Sequence, residues 1–456
     1  MAAVVDFISE VNAVINGIVW GPVMLALLIG VGLFLTVKTG FLQFRRFGQM
    51  VKSTIGGLFK KQQHSTDASG VSPFQAVATA MAGTIGTGSI TGIATAIVTG
   101  GPGAIFWMWV SALLGMVTKY SEIVLSLKYR EKNSQGQWVG GPMYYIRNGL
   151  GIKWLAALFA LFAMVACMGT GNATQSNSIA IALDSTIGVS PWITGLVLMI
   201  LVGAVILGGM RRIASVNEKL VPFMAVFYVV CAVIALVLNL DKVPEAFILI
   251  LKEAFQFKAA AGGAAGYGIM TAMHYGFARG VFSNEAGLGS APIAHAASST
   301  KSPAEQGLWG MFEVFFTTIV ICTLSALIIL TTGIWTGGEY QGSALSIASF
   351  NAILPGVGGI GVTLATIFFA LSTILGWAYY GEVSVGYLFK GSKKAIQIYR
   401  VIYVAVTFIG TVGSLDLIWS ISETMNGFMA IPNLIGIIGL YKVITGVSKD
   451  YFDSKK

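Results

Sequence analysis

The chain has 456 residues, of which 55% are hydrophobic and only 10% charged, with 28 basic, 19 acidic and a formal net charge of +9. Soluble domains carry roughly a quarter charged residues, so a soluble enzyme, a disordered chain and a secreted disulfide scaffold are all excluded. A mean hydropathy of +0.78 leaves an all-α polytopic membrane protein, with room for roughly ten to twelve spans of about 20 residues each and none for a soluble domain beside them.

Taken in order, apolar runs between charged or Gly/Pro-rich breaks predict eleven transmembrane helices. They lie near 15–37, 74–99, 102–127, 153–183, 191–210, 220–240, 264–298, 307–333, 350–389, 397–413 and 417–442. The opening residues, MAAVVDFISEVNAV, begin acidic and do not read as a signal peptide. Two stretches are too long for one straight span: 264–298 is rich in glycine, and 350–389 contains PGVGGIG. Cys167, Cys231 and Cys322 each sit in an apolar run without a partner at metal-ligand spacing, so they read as small core residues. Gly356–Gly361 fits a dinucleotide loop by letter, but no strand precedes it.

Summing Lys and Arg over alternate inter-helix segments gives 25 on one side and 3 on the other, the 3 being Lys242, Lys252 and Lys258. The positive-inside rule makes the basic side cytoplasmic, with the N-terminus outside and the C-terminus inside. The net charge therefore points to the cell membrane and its basic inner loops rather than to nucleic acid.

A membrane helix gives up its backbone hydrogen bonds only where it lines a cavity or is buried in protein. Two runs look built for that. The first, in the second helix, is Met81–Ser89, MAGTIGTGS; the second, in the seventh, is His274–Gly287, HYGFARGVFSNEAG. Counted from the second helix, each opens a set of five, and the two sets run in opposite directions. This predicts a 5+5 inverted repeat with one extra N-terminal helix. The divisions are 1–73 for the extra helix and its basic loop, 74–240 for the first repeat, 241–263 for an extracellular connector, 264–445 for the second repeat and 446–456 for the tail. Paired interrupted helices in inverted halves point to the binding site of a secondary transporter. A half-helix N-terminus suits a carboxylate, and a half-helix C-terminus suits a cation or ammonium. The two together match an amino-acid zwitterion.

Helical spacing nominates side chains near the breaks. Gln75, Thr79 and Gly83 recur every four residues and climb into the first break, with Thr87 and Gly88 inside it. Met273, His274, Tyr275, Gly276 and Phe277 are their counterparts in the seventh helix. Thr170, Thr174 and Asn177 share a face of the fourth helix, with Asn172 and Gln175 beside them. Thr366, Thr373 and Trp377 share one of the ninth, where Ser372 and Thr373 offer hydroxyl oxygens to a hard cation such as sodium. Trp377, with Phe277 across from it, is the candidate for excluding large substrates.

Three blocks then become recognisable. Gly100–Gly115, GGPGAIFWMWVSALLG, resembles a signature of the alanine-or-glycine:cation symporter family. Gly276–Gly287, GFARGVFSNEAG, resembles a second block, and Phe368–Trp377, FFALSTILGW, a third. The resemblance implies a LeuT-type fold, coupling to Na+, and alanine or glycine as substrate. It matches Gly86, Thr87 and Gly88 to an unwound stretch that binds the substrate carboxylate. It matches the Ala82 and Ile85 carbonyls and the Ser372 and Thr373 hydroxyls to a sodium position. Two other readings stand beside it: proton coupling through Glu285, Glu313 and Glu382, and an ion channel. The bland role of those acids is ion pairing with Arg279 or Lys119. No enzyme motif occurs.

Overall fold

Lipid offers no hydrogen-bond partner to a peptide group, so each apolar run satisfies its backbone internally and becomes a helix. The computed structural model describes residues 2–58, 70–255, 267–413 and 416–455, and they are almost wholly helical. Lys60, Lys61, Lys258 and Lys456 of the charge tally lie outside the described residues.

In chain order, α1 (Ala2–Val19) and α2 (Pro22–Lys38) lead to α3 (Leu42–Arg45) and α4 (Phe47–Leu58). α5 (Pro73–Thr84) and α6 (Thr91–Gly100) precede α7 (Gly103–Lys128), a hairpin of β1 (Glu131–Lys132) and β2 (Trp138–Val139), and α8 (Pro142–Tyr145). α9 (Lys153–Met168) continues through a π-helical stretch, Gly169–Ala173, into α10 (Thr174–Ile187). Then come α11 (Pro191–Ile206), α12 (Gly209–Leu238), α13 (Val243–Ala254), α14 (Tyr267–Asn284) and α15 (Ala291–Ala296). α16 (Pro303–Val314) passes through a second π stretch, Phe315–Cys322, into α17 (Thr323–Thr332). α18 (Gly342–Ile353), α19 (Gly358–Leu388), α20 (Lys393–Val412), α21 (Asp416–Gly439) and α22 (Tyr441–Asp453) complete the chain.

Among the described residues seven helical stretches are long and apolar enough to cross a bilayer: Phe7–Lys38, Gly103–Lys128, Lys153–Ile187, Gly209–Leu238, Pro303–Thr332, Gly358–Leu388 and Lys393–Val412. Ser420–Gly439 with Tyr441–Asp453, bent by 61°, makes an eighth. The two segments with expected breaks, α5–α6 and α14–α15, are missing from that set: α5 and α6 are short, and α14, at 18 residues, carries polar residues such as His274 and Arg279.

Several expected boundaries shift. The first span begins near Phe7 rather than residue 15. The expected 350–389 element is two helices, and its PGVGGIG run straddles the turn that starts α19. The connector 241–263 contains α13, and the tail from 446 continues α22.

Loops expected on the basic side do meet. Arg130 donates to the carbonyls of Ala296 and Thr300, the former at 3.2 Å and the latter at 2.8 Å. The Val71 amide donates to Ala297 O at 3.0 Å. At the other end, Asn12 and Asn16 of α1 donate to Ser420 and Thr424 of α21 at 2.7 and 3.0 Å. Several residues of the tally lie within helices rather than in loops, among them Lys119, Arg279, Arg211, Arg212, Lys219 and Arg400. Lys119 is fully buried in α7 against Glu313, and Arg279, within α14, pairs with Glu423 near the α1 end of α21.

Candidate binding site between two broken helices

α5 starts firmly. Ser72 caps it, Pro73 supplies a preset first turn, and Ser72 and Gln75 close a reciprocal capping box. It ends at Gly83–Thr84, and the next six residues carry only a single short turn before α6. Three glycines bring side chains onto the bare backbone here. A Cβ on Gly83 would lie 2.7 Å from the Tyr380 hydroxyl, one on Gly86 2.7 Å from Thr373 Oγ1, and one on Gly88 2.9 Å from the Phe282 ring. The Thr87 amide and hydroxyl both donate to Gln175 Oε1, at 3.3 and 2.9 Å.

The second break lies further along than the glycine run implied. α14 is continuous to Asn284, and the chain opens at Glu285, Gly287 and Gly289, with φ of 56, 91 and 81°. Side chains from neighbouring helices satisfy its backbone. The Gly287 amide donates to Glu122 at 3.0 Å, and Asn433 donates to Gly287 O at 2.9 Å. Gly276 and Gly280 instead seat α14 on α7, where a Cβ would meet Ala104 O at 2.4 Å and Ser111 Oγ at 3.0 Å. That is close helix packing by small residues.

The first break touches the last turn of α14, just before the second: the Ser89 and Ser283 hydroxyls are 3.1 Å apart. Between them is a cavity of about 10 Å³, lined by Gly83, Thr84, Gly86, Gly88, Thr170, Gln175, Phe282, Glu285, Thr373, Trp377 and Asn426. That volume holds about one water, so the helices have to part to admit anything larger. Trp377 roofs it. Its Nε1 donates to Glu285 Oε1 at 2.9 Å, and its ring packs on Gly171 in the π stretch, where a Cβ would lie 2.3 Å from Trp377 Cβ. Ser290 also donates to Glu285. Asn426 Oδ1 is buried without a hydrogen-bond partner among the described residues.

Beside the cavity, Thr373 Oγ1 lies 2.9 Å from Ala82 O, and Ser372 Oγ 3.4 Å from it. Both hydroxyls are also 2.9 Å from Phe369 O. Three of the four expected cation ligands are thus gathered, all uncharged oxygens buried between α5 and α19, a donor set that suits a hard monovalent cation. Ile85, the fourth, is fully buried and caps α5 through its amide to Met81 O.

Gly83, Gly88, Thr170, Thr373 and Trp377 line the cavity, and Thr87 adjoins it. Gln75 does not reach it: its amide closes the cap of α5 and donates to Glu218 of α12 at 2.9 Å. Thr79 bonds back to Gln75 O at 2.8 Å, the ordinary habit of a helical threonine. Thr366 is buried on α19 with its hydroxyl unpartnered among the described residues, about two turns from Thr373. Met273, His274, Tyr275, Gly276 and Phe277 sit in the continuous part of α14. There Phe277 faces Trp107, with ring centroids 6.5 Å apart, rather than Trp377. Phe282, Glu285 and Asn426 also line the cavity. Only Glu285 carried a signal, as a lone acid in an apolar helix.

Other acids in the helices pair with cations, while the buried Glu122 accepts from the Gly287 amide and Asn433. Lys119 lies 3.5 Å and His295 3.2 Å from Glu313, which also accepts from Thr84 at 2.8 Å. Arg400 grips Glu382 through two nitrogens at 2.9 and 2.7 Å. Arg279 pairs with Glu423 at 3.5 Å, leaving Glu285 to Trp377 and Ser290.

A profile of the Sodium:alanine symporter family matches residues 5–456. The chain is 47% identical to the sodium/alanine symporter AgcS of Methanococcus maripaludis, over 99% of this chain and 98% of that one. It is 37% identical to a probable sodium/glutamine symporter, GlnT, of Bacillus subtilis, over 99% and 92%. Among solved structures it superposes on MhsT in complex with L-phenylalanine with a TM-score of 0.57 at 13% identity, covering 87% of this chain and 99% of that one. A Na+-coupled sialic acid symporter gives 0.56 at 13% identity, over 92% and 87%. These likenesses show a LeuT-type transporter fold.

Proposed function

Because the chain belongs to the sodium:alanine symporter family, we propose that it is a sodium-coupled symporter that imports a small neutral amino acid, alanine or glycine, by alternating access. The observation that carries this reading is the meeting of two broken helices at one small cavity, with the Ala82, Ser372 and Thr373 oxygens alongside. In this reading the chain crosses the cell membrane eleven times, as two inverted sets of five after one extra helix. The N-terminus lies outside and the C-terminus in the cytoplasm. The domain bounds are those read from the sequence.

The substrate carboxylate faces the turn at Thr87–Ser89 and the positive end of α6. Its ammonium faces the carbonyl ends of α5 and α14, with Glu285 and the unpaired Asn426 Oδ1 as acceptors. A sodium ion at Ala82 O draws Ser372 and Thr373 of α19 onto the end of α5, the same backbone that closes on the substrate. Ion and substrate then stabilise one arrangement of the two helices, which is the physical content of coupling. Trp377 over Gly171 limits the side chain to about a methyl group.

A second reading, proton coupling, draws on one observation: Glu285 is a buried carboxylate at the cavity wall. Calorimetric titration of alanine into the purified chain, in sodium and then in potassium buffer at several pH values, separates the two. Sodium coupling requires alanine binding that strengthens with sodium. Binding that follows pH and ignores sodium overturns it.

A further inference from the structure

We propose that the chain carries a second, non-transport site: a basic cavity at the end of α2 that holds the phosphate-bearing headgroup of an anionic phospholipid. The depth of the site is set by the sequence. Along α2, Leu33 and Val37 turn apolar surface outward, 51% and 63% exposed, up to Lys38, where the first span ends. Just beyond, Gly40 and Phe41 adopt left-handed φ of 66 and 57°, folding α3 back beside the end of α2. Phe41 and Phe44 are left exposed there, 51% and 55%. Aromatic rings that follow the last apolar turn mark the level where hydrocarbon gives way to headgroups.

At that level a cavity of about 340 Å³ opens between this turn and α22. Lys38, Arg45, Arg46 and Lys449 line it against a single acid, Asp453. Lys38, Arg45 and Lys449 are exposed and Arg46 is half-buried, yet three of the four are held in place by neighbours. Arg46 stacks 4.5 Å from the Phe452 ring. Lys38 Nζ is held 5.7 Å from the rings of both Phe34 and Tyr441. Arg45 is braced on Gly40 O at 3.1 Å. Thr445 and Ser448 add hydroxyls to the wall. Guanidinium forks and ammonium groups converging on one concave space suit a phosphate. The apolar face of α2 beside it gives acyl chains a place to lie. A free phosphate shares the headgroup chemistry but gains nothing from that face, which is why the lipid is the assigned occupant. Basic pockets beside spans are a recognised mode of lipid recognition.

The test uses the full-length purified chain in detergent, with thermal stability and native mass spectrometry as readouts. It is titrated with phosphatidylglycerol, phosphatidylcholine or inorganic phosphate. Phosphatidylglycerol is expected to bind and stabilise, and the other two are not. Arg46→Gln with Lys449→Gln is expected to weaken phosphatidylglycerol binding about thirtyfold, from roughly a fivefold loss per charge near a membrane surface. The exposed pair Lys301→Gln with Lys394→Gln is expected to leave it unchanged. Thr445→Trp fills the cavity without removing charge and is expected to abolish binding, which keeps the test decisive if the charge variant folds poorly. Full phosphatidylglycerol affinity in Thr445→Trp, or inorganic phosphate matching the lipid, overturns the proposal.

Discussion

Replacing Thr373 by Val and Ser372 by Ala probes the coupling site at its best-defined atoms. Thr373 Oγ1 stands 2.9 Å from both Ala82 O and Phe369 O. A hydroxyl has one proton and two lone pairs. It can keep its proton on Phe369 O and turn a lone pair toward a cation beside Ala82 O. Valine has the same shape and lacks both functions, so it removes an ion ligand and leaves a buried carbonyl less satisfied. An unpaired buried group costs about 1–3 kcal/mol, and about 1.4 kcal/mol is tenfold in affinity. Thr373→Val is therefore expected to raise half-saturating sodium by about 10- to 100-fold. Ser372 lies at a longer 3.4 Å from Ala82 O, so Ser372→Ala alone is expected to have a smaller effect. Thr373→Ser keeps the hydroxyl and is expected to stay near wild type. The assay is labelled alanine binding to purified protein across a sodium titration, with alanine affinity at saturating sodium as the control. Unaltered sodium dependence in the double variant refutes the assignment. A loss in Thr373→Ser as large as that in Thr373→Val shows that shape, not the hydroxyl, matters there.

Trp377→Ala removes the roof over Gly171 and the N–H given to Glu285; competition uptake is expected to show valine and leucine admitted and alanine weakened. Gln75→Leu breaks the α5 capping box and the bond to Glu218, so thermal unfolding is expected to fall by about 1–2 kcal/mol while alanine affinity stays unchanged. Lys119→Met leaves Glu313 without its buried cation and is expected to cost about 3–5 kcal/mol, much of it recovered when Glu313→Gln is added, because a neutral pair needs no counter-charge.

The helical architecture was legible because lipid allows few alternatives: composition, loop charge and glycine-interrupted runs predict spans and breaks directly. The first break is legible because its glycines fall where neighbouring side chains meet bare backbone, so the glycine run and the interruption coincide. The second is not. Gly276 and Gly280 serve packing against α7, while the opening occurs at Glu285–Gly289, and a glycine in a membrane helix reads alike for both purposes. Gln75 was misplaced for a different reason: an i, i+4 stripe fixes a helix face but not the depth along it, and Gln75 belongs to the cap. Asn426 carried no local signal, since only the packing of α21 brings it to the cavity.

Labelled alanine uptake into proteoliposomes of the purified chain, at equal pH inside and out, with and without an inward sodium gradient, tests the central claim most directly. Sodium-coupled symport predicts accumulation above equilibrium only while the sodium gradient lasts, collapsing when sodium is equalised. Accumulation that ignores sodium, or that appears only with an imposed proton gradient, contradicts it.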